Sequence, residues 1–384
     1  MTTAIHGTVA PGFEKVADAF AANFSERGEV GAACAVRVGG EEVVDLWGGL
    51  ADPATGRAYE ADTLQLVFSC SKGVVAAGAH LLAQQGRLDL DAPVAQYWPE
   101  FAQNGKGAIS VRWLLSHQAG LVGIDRQLSV EELCAWDPLV DALAAQKPWW
   151  EPGTAHGYHA VTFGHLVGEV IRRVTGQTVG DFVREHVAGP VGAEFHIGVP
   201  DDALARVAPL LDFELPAPTE EPNPMVTAML TPGSLTNRAF LIAPVWISNF
   251  NEPQLLQAQI PGANGCTSAR SLARIYGSLV SEVDGVRLLD PAQVDDARRE
   301  QVSGPDLVMV ANPNRLSSGY WLPTELGPML GAGSFGHEGL GGSLGTALPE
   351  REIGFGYVMN QTQLNETADP RSKALLEAVL ACTA

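Results

Sequence analysis

Apolar residues recur at helical spacing early in the chain. Phe13, Val16, Phe20 and Phe24 share one face and predict an amphipathic helix over 12–24. The runs 32–38 and 42–47 read as strands joined by Gly39-Gly40, a hairpin turn signal. An apolar stretch at 64–68 leads into 69–86, where Val74, Val75, Gly78, Leu81 and Leu82 form a helical stripe and Gly86 supplies a stop. Residues 87–200 read as mostly helical, with a capped start at 110–116 and an apolar helix at 161–174 closing at Gly176. Residues 201–262 are rich in proline with weak periodicity, which predicts long loops and short helices over a site. A helix is expected over 268–280, strands over 319–322, 336–338, 344–348 and 353–359, and a closing helix over 372–381. The order is helix, strands, many helices, strands, helix. It predicts an α+β architecture in which 1–75 and 265–384 together form an α/β subdomain and 76–264 a mainly helical one with cleft-covering loops. There is no internal repeat and no low-complexity tract.

Composition narrows the class. A chain of 384 residues is longer than one small core usually serves, which fits two subdomains. With 46% hydrophobic and 18% charged residues it is an ordinary globular chain. The net charge of -20 argues against a nucleic-acid partner or an anionic membrane surface. The five cysteines, Cys34, Cys70, Cys134, Cys266 and Cys382, are widely spaced and contain no C-x-x-C, which fits reduced thiols in a cytoplasm. No basic segment followed by an apolar one opens the chain, and no apolar run spans a bilayer. The expectation is a cytoplasmic protein without a membrane partner.

The residues Ser69-Cys70-Ser71-Lys72 read S-x-x-K at the start of a predicted helix. A serine hydroxyl is a weak nucleophile until a base stands beside it. Residues three apart on a helix share a face, so Lys72 can lie one turn from Ser69. The helix N-terminus adds free N–H groups and the positive dipole end, which suit a developing oxyanion. The plainer reading makes Ser69 an N-cap and Lys72 an exposed charge.

Further segments recur in a telling order: Phe68 to Gly73, Val111-Arg112-Trp113-Leu114-Leu115-Ser116-His117, Glu151-Pro152-Gly153 with Tyr158, and Gly336-His337-Glu338-Gly339-Leu340-Gly341-Gly342-Ser343. Together they resemble the serine β-lactamase-related family over roughly residues 12–382. That family covers class C β-lactamases, DD-peptidases and family VIII carboxylesterases, and the chain looks closest to the last. The resemblance implies a β-lactamase/DD-peptidase-like fold, an antiparallel sheet flanked by helices plus a helical subdomain. It implies Ser69 as the acylated nucleophile, Lys72 as its base, and Tyr158 as the tyrosine of Y-x-N that shuttles the proton. Burial lowers a lysine pKa and a nearby cation lowers a tyrosine pKa, so the pair is expected to act as one unit. His337-Glu338-Gly339 stands in the place of K-T-G. The N–H groups of Ser69 and Leu340 would form the oxyanion hole. His337 and Gly339 would meet the substrate, the glycine by letting it approach the backbone.

Two departures shape the activity. The third position of Y-x-N is Ala160, and the lysine of K-T-G is His337. The first removes an amide that helps hold a lactam, the second a cation that meets a carboxylate. Both are tolerable for an esterase. The expected function is therefore a serine carboxylesterase acting on short-chain esters through an acyl-enzyme. The alternatives are an acyltransferase using an alcohol acceptor, a β-lactamase or D-amino peptidase, and a non-catalytic binding homologue.

Other features compete for attention. Gly341-Gly342-Ser343-Leu344-Gly345 matches G-x-S-x-G, but no histidine follows it and no helix can start cleanly at Thr346-Ala347-Leu348-Pro349, so Ser343 is rejected as nucleophile. His156, His159 and His165 lack a metal-ligand pattern and are read as structural; neither a metal nor a cofactor is expected. Cys70, next to the nucleophile, is read as a buried small residue. Trp150 and Trp321, with Trp149 and Trp246, are read as walls of an acyl pocket.

Overall fold

The structure, a computed structural model, describes residues 3–213, 223–310, 313–365 and 368–384. Part of the 201–262 loop expectation thus lies outside the described residues. A seven-stranded sheet draws on both ends of the chain. Its main path runs Ile5–Val9, Glu41–Asp52, Gly31–Val38, Ile353–Met359, Leu344–Leu348 and Phe335–Glu338, with Arg57–Ala58 pairing off Glu41–Asp52. Every pairing is antiparallel. Gly39 and Gly40, at φ 58° and 83°, occupy the left-handed region that a tight hairpin demands.

Period-two alternation sorts the strand side chains onto two faces. Ile353, Phe355, Tyr357 and Met359 join Cys34, Val36, Val16, Phe20, Leu375 and Val379 in one core, beneath the Glu14–Glu26 and Pro370–Cys382 helices. On the opposite face, beside Arg37 and Val358, the small residues Ala33, Ala35, Gly354 and Gly356 leave room. A Cβ at Gly354 would overlap the Gly277 nitrogen, and one at Gly356 the Ala269 carbonyl oxygen. The small face therefore lets the Ala269–Val280 helix lie close to the sheet. Beyond it, Cys70–Gln84 and Thr162–Thr175 meet in the larger core through Val74, Val75, Leu82, Phe163 and Leu166. Cys70–Gln84 is buried on nearly every side, as a helix apolar all round should be.

The predicted helices end where their glycines turn: Gly86 has φ 68° and Gly176 φ 76°. Several elements differ from expectation. The strand Ile5–Val9 precedes the first helix; it is an edge strand exposed along its middle and gives no apolar alternation. Phe195–His196, Cys266–Thr267, Leu64–Leu66 and Val207–Ala208 form a second, four-stranded sheet, too short in each strand to show a period. Residues 319–322 are no strand of their own. Trp321 alone bridges to Leu316 and Gly336, while a hairpin of Val302–Gly304 and Asn314–Leu316 lies just before it. All five cysteines are free. Among the described residues, no helix is long and apolar enough to cross a membrane.

Candidate active site

The chain enters the site through the strand Leu64–Leu66 and turns at Phe68, whose φ of 41° is left-handed. A non-glycine residue there costs about 1–3 kcal/mol. The Phe68 ring packs edge-on against Phe250 at 5.3 Å, which helps hold the turn. Ser69 follows at φ −71° and ψ −9°, and its hydroxyl caps no helix N–H. Its oxygen is instead 3.0 Å from Lys72 Nζ. The plainer reading fails at both residues, because Lys72 is 0% exposed. Gly73, which ends the motif, has no room for a side chain: a Cβ would overlap the Tyr276 hydroxyl.

Lys72 Nζ has two further partners, the carbonyl oxygens of Ala160 at 2.7 Å and Gly262 at 2.6 Å. It lies 4.9 Å from the centroid of the Tyr158 ring. Among the described residues no carboxylate pairs with it, and burial holds its pKa well below the ordinary lysine value. Gly262 can reach this position because it packs against the start of the Thr162–Thr175 helix, where a Cβ would sit 2.9 Å from the Val161 carbonyl oxygen.

Tyr158 is 4% exposed. Burial raises its pKa above the usual phenol value, and the neighbouring Ser69 side chain opposes this only in part. The expected lowering is therefore overturned. Desolvation disfavours the phenolate, and the buried amine beside it is itself held toward neutrality. Asp306 sets the tyrosine's backbone, because its Oδ1 accepts the N–H groups of Tyr158 (3.1 Å), Val308 (2.8 Å) and Met309 (2.8 Å). The Tyr158 ring contacts His117 at 5.0 Å, Trp321 edge-on at 5.7 Å and His337 at 6.1 Å.

The strand Phe335–Glu338 forms the opposite wall. His337 Nδ1–H donates to the Glu338 carbonyl at 2.7 Å, which leaves Nε2 as an acceptor, buried and without a partner among the described residues. Burial first, and Lys72 second, push the His337 pKa down to about 3, so the ring is neutral. Gly339 also has a packing reason for its size: a Cβ would overlap the Val67 carbonyl oxygen. The absent side chain lets the turn after the strand abut the nucleophile segment. Among the described residues, no acceptor takes the backbone N–H of Ser69 or Leu340.

A satellite apolar cluster surrounds Tyr158. It contains Val122, Ala160, Ala239 and Val308, with Trp149, Trp150, Phe240, Met309 and Trp321 packed on it. Trp150 is anchored by Nε1–H to the Ala155 carbonyl at 3.1 Å. Trp246 does not belong to this cluster; it is 53% exposed at the start of a short helical turn, so its placement in the pocket wall is corrected. Cys70 is buried, with Sγ 3.2 Å from the His337 carbonyl oxygen. Ser343 precedes the strand Leu344–Leu348 rather than a helix, and its buried hydroxyl has no partner among the described residues. His159 is held by its neighbours: Nε2 accepts the Leu121 N–H at 3.1 Å and Nδ1–H faces the Gly157 carbonyl at 2.7 Å.

Three contributors had no assigned role in the sequence. His117 has φ 60°, and its Nδ1 accepts the His159 N–H at 3.0 Å; its place at the end of the Val111–His117 segment was the available signal. Asp306 and the carbonyl of Gly262 gave none, since each acts on backbone or through it.

The model of the beta-lactamase family matches residues 16–380. The chain belongs to the β-lactamase family. A Mycobacterium tuberculosis member named esterase/beta-lactamase LipL is 37% identical over 366 residues, covering 93% of this chain and 83% of that one. A crystal structure of a family VIII carboxylesterase superposes with a TM-score of 0.90 at 40% identity, covering 99% of this chain and 100% of the other. A penicillin-binding protein homologue from Caulobacter crescentus gives 0.88 at 38% identity, with 99% and 100% covered. The fold is thus that of β-lactamases and DD-peptidases, with the antiparallel sheet and flanking helices described above.

Proposed function

We propose that the protein is a serine carboxylesterase that hydrolyses short-chain carboxylic esters through an acyl-enzyme on Ser69. The observation that carries this reading is the set of three partners around Lys72 Nζ. A neutral amine has two N–H groups and one lone pair. The carbonyls of Ala160 and Gly262 take the two N–H groups, and the lone pair is left for the Ser69 hydroxyl proton. Ser69 Oγ attacks the ester carbonyl while its proton passes to Lys72. The N–H groups of Ser69 and Leu340 receive the oxyanion, a contribution worth about 10²–10³-fold in rate per donor. Tyr158 works as a neutral phenol, passing the proton from Lys72 to the departing alkoxide. Water then enters, returns a proton through the same pair, and releases the carboxylic acid.

An ester fits the remaining groups better than a lactam antibiotic. Ala160 offers no side-chain amide, and the neutral His337 offers no cation to a carboxylate. A ligand bearing those groups would lose their hydration without compensation. The likeness to a family VIII carboxylesterase supports the same choice. The double name of the mycobacterial relative favours a second, slower reaction with lactams on the same serine. Transfer of the acyl group to an alcohol would use the same intermediate, with the alcohol in place of water. The free thiols support a cytoplasmic setting.

The test is kcat/KM for p-nitrophenyl acetate and butyrate beside nitrocefin, with fluorophosphonate labelling located by mass spectrometry. Efficient ester turnover, poor nitrocefin turnover and label on Ser69 are expected. A nitrocefin kcat/KM above that of every short-chain ester would promote the β-lactamase alternative.

A further inference from the structure

The turn Gly339–Ser343 carries Leu340, and one fully buried arginine grips it from behind. Within the turn, the Gly339 N–H donates to the Ser343 carbonyl at 2.7 Å and the Gly342 N–H to the Gly339 carbonyl at 3.1 Å. Gly341 and Gly342 have φ of 93° and 129°, which side-chain-bearing residues rarely adopt. The Gly341 carbonyl accepts Arg371 Nη2–H at 2.7 Å. A Cβ at Gly342 would stand 2.6 Å from both Arg371 Nη2 and Asp369 Oδ2, so the guanidinium lies directly against the turn.

Arg371 is 0% exposed and comes from the start of the last helix, Pro370–Cys382. Its five N–H groups have five acceptors. Nε donates to Asp369 Oδ1 at 3.0 Å and Nη2 to Asp369 Oδ2 at 2.7 Å and to Gly341. Nη1 donates to Glu29 Oε1 at 3.2 Å and to the Gln361 carbonyl at 2.8 Å. Glu29 is held in turn by the Tyr357 hydroxyl. A buried ion cluster is a poor way to gain stability, since desolvation offsets most of the attraction. A rigid fork with every donor used is a good way to fix a direction. On its other side the turn is pressed against Val67 by the missing side chain of Gly339. The Leu340 N–H is thus set between two fixed supports.

We propose that Arg371 is a positioning residue for the oxyanion turn: through the Gly341 carbonyl it fixes the direction of the Leu340 N–H, and Glu29 and Asp369 hold the guanidinium to that task. The inference rests on the esterase reading with Ser69 and Leu340 as oxyanion donors. Arg371 touches no substrate, so its loss should act on the transition state and leave ground-state binding alone.

The experiment uses the full chain, with Arg371→Lys and Asp369→Asn measured per active site after fluorophosphonate titration of Ser69. Arg371→Lys keeps the charge and loses the fork. It should lower kcat by about 10- to 100-fold, less than outright removal of an oxyanion donor, with KM changed by less than about threefold. Inhibition by a trifluoromethyl ketone, whose tetrahedral adduct needs the oxyanion hole, should weaken by the same factor as kcat/KM. Asp369→Asn should move both readouts in the same direction by a smaller factor, and it carries the test if Arg371→Lys does not fold. A purely structural role would lower the melting temperature and the number of titrated sites, leaving per-site kcat and ketone affinity unchanged; that result overturns the proposal. Absence of Ser69 labelling and of Ser69-dependent ester turnover in the wild-type protein would overturn the esterase reading first, and this inference with it.

Discussion

Two lysines are closed off from solvent, at different depths, and are set to different ends. Lys72 and Lys106 are each 0% exposed, and each lies over an aromatic ring, Lys72 above Tyr158 and Lys106 above Phe101. Lys106 Nζ donates to three carbonyls, Gln103 at 3.0 Å, Ala144 at 2.9 Å and Gln146 at 2.6 Å. Three N–H groups meet three acceptors, which satisfies an ammonium. Lys72 has two carbonyls, and its third partner is a hydroxyl that carries a proton of its own. Burial lowers the Lys106 pKa only to about 8, so it is charged at neutral pH. It lowers that of Lys72 well below the ordinary value. Desolvation is the cause at both, and it is far heavier at Lys72, which lies deeper in the protein. The third partner adds a second difference: three carbonyls suit a pinned cation, whereas two carbonyls and a hydroxyl suit an amine with a lone pair to offer.

The largest effect should come from deleting that third partner. Ser69→Ala removes the nucleophile, and losses on the order of 10⁶ in kcat are the scale for such a change. Ser343→Ala, at a buried hydroxyl with no hydrogen-bond partner among the described residues, should keep most of the ester turnover. Steady-state kinetics on p-nitrophenyl butyrate with folded variants separates the two, and equal losses would remove the assignment of Ser69.

Next comes the lysine itself. Lys72→Ala and Tyr158→Phe should each remove most activity, and the double variant should be little worse than the poorer single, since members of one unit are not additive. Lys106→Met should leave kcat near wild type. The pH profile follows the same logic. A base works deprotonated, so kcat/KM should rise with pH through the lowered Lys72 pKa and then stay flat. The raised Tyr158 pKa gives no reason for a limb near an ordinary phenol value. A double-mutant cycle with fully additive losses would show that Lys72 and Tyr158 act separately.

This pair also marks where the sequence stops being legible. S-x-x-K declared Lys72, because side-chain identity and helical spacing are both visible in a one-dimensional pattern. Lys106 sits in Gln103-Asn104-Gly105-Lys106-Gly107, which carries no motif, and two of its three carbonyl partners belong to residues about forty positions on. The partners of Lys72 were hidden for the same reason: any residue can present a carbonyl, so neither Ala160 nor Gly262 advertises one. The long strand Ile353–Met359 and the glycine-terminated helices were legible because their periodicity is sustained. The strands of two or three residues and the exposed edge strand Ile5–Val9 carry no such period. Trp246 shows the limit of reading residue type alone, since a tryptophan suits a pocket wall and this one faces outward.

A smaller effect tests the wall facing Lys72. Ala160→Asn with His337→Lys restores an amide and a cation near the serine. The ratio of kcat/KM for nitrocefin to that for p-nitrophenyl acetate should rise by about 10- to 100-fold, the range that one or two matched polar groups supply. An unchanged ratio would mean that something other than these two positions sets the preference for esters.

The smallest effect concerns Lys106 and is one of stability. Its folded-state pKa of about 8 lies below the 10.5 of an unperturbed lysine. As pH falls from 10.5, the unfolded chain takes up this proton first, while the folded chain does so only near 8. Between those values the unfolded state holds the extra proton, so the contribution of Lys106 to stability falls as pH drops through the window and is flat below it. Other groups titrate in the same range: burial raises the thiols of Cys34, Cys70 and Cys266, and these favour unfolding as pH rises. The wild-type curve alone mixes the two trends. Subtracting the Lys106→Met curve cancels the shared groups and leaves the lysine. In urea melts from pH 7 to 10.5, wild type should gain stability relative to Lys106→Met as pH rises past about 8. A difference independent of pH would mean that Lys106 is as easily charged in the folded chain as in water, and its contrast with Lys72 would then be one of kind rather than of degree.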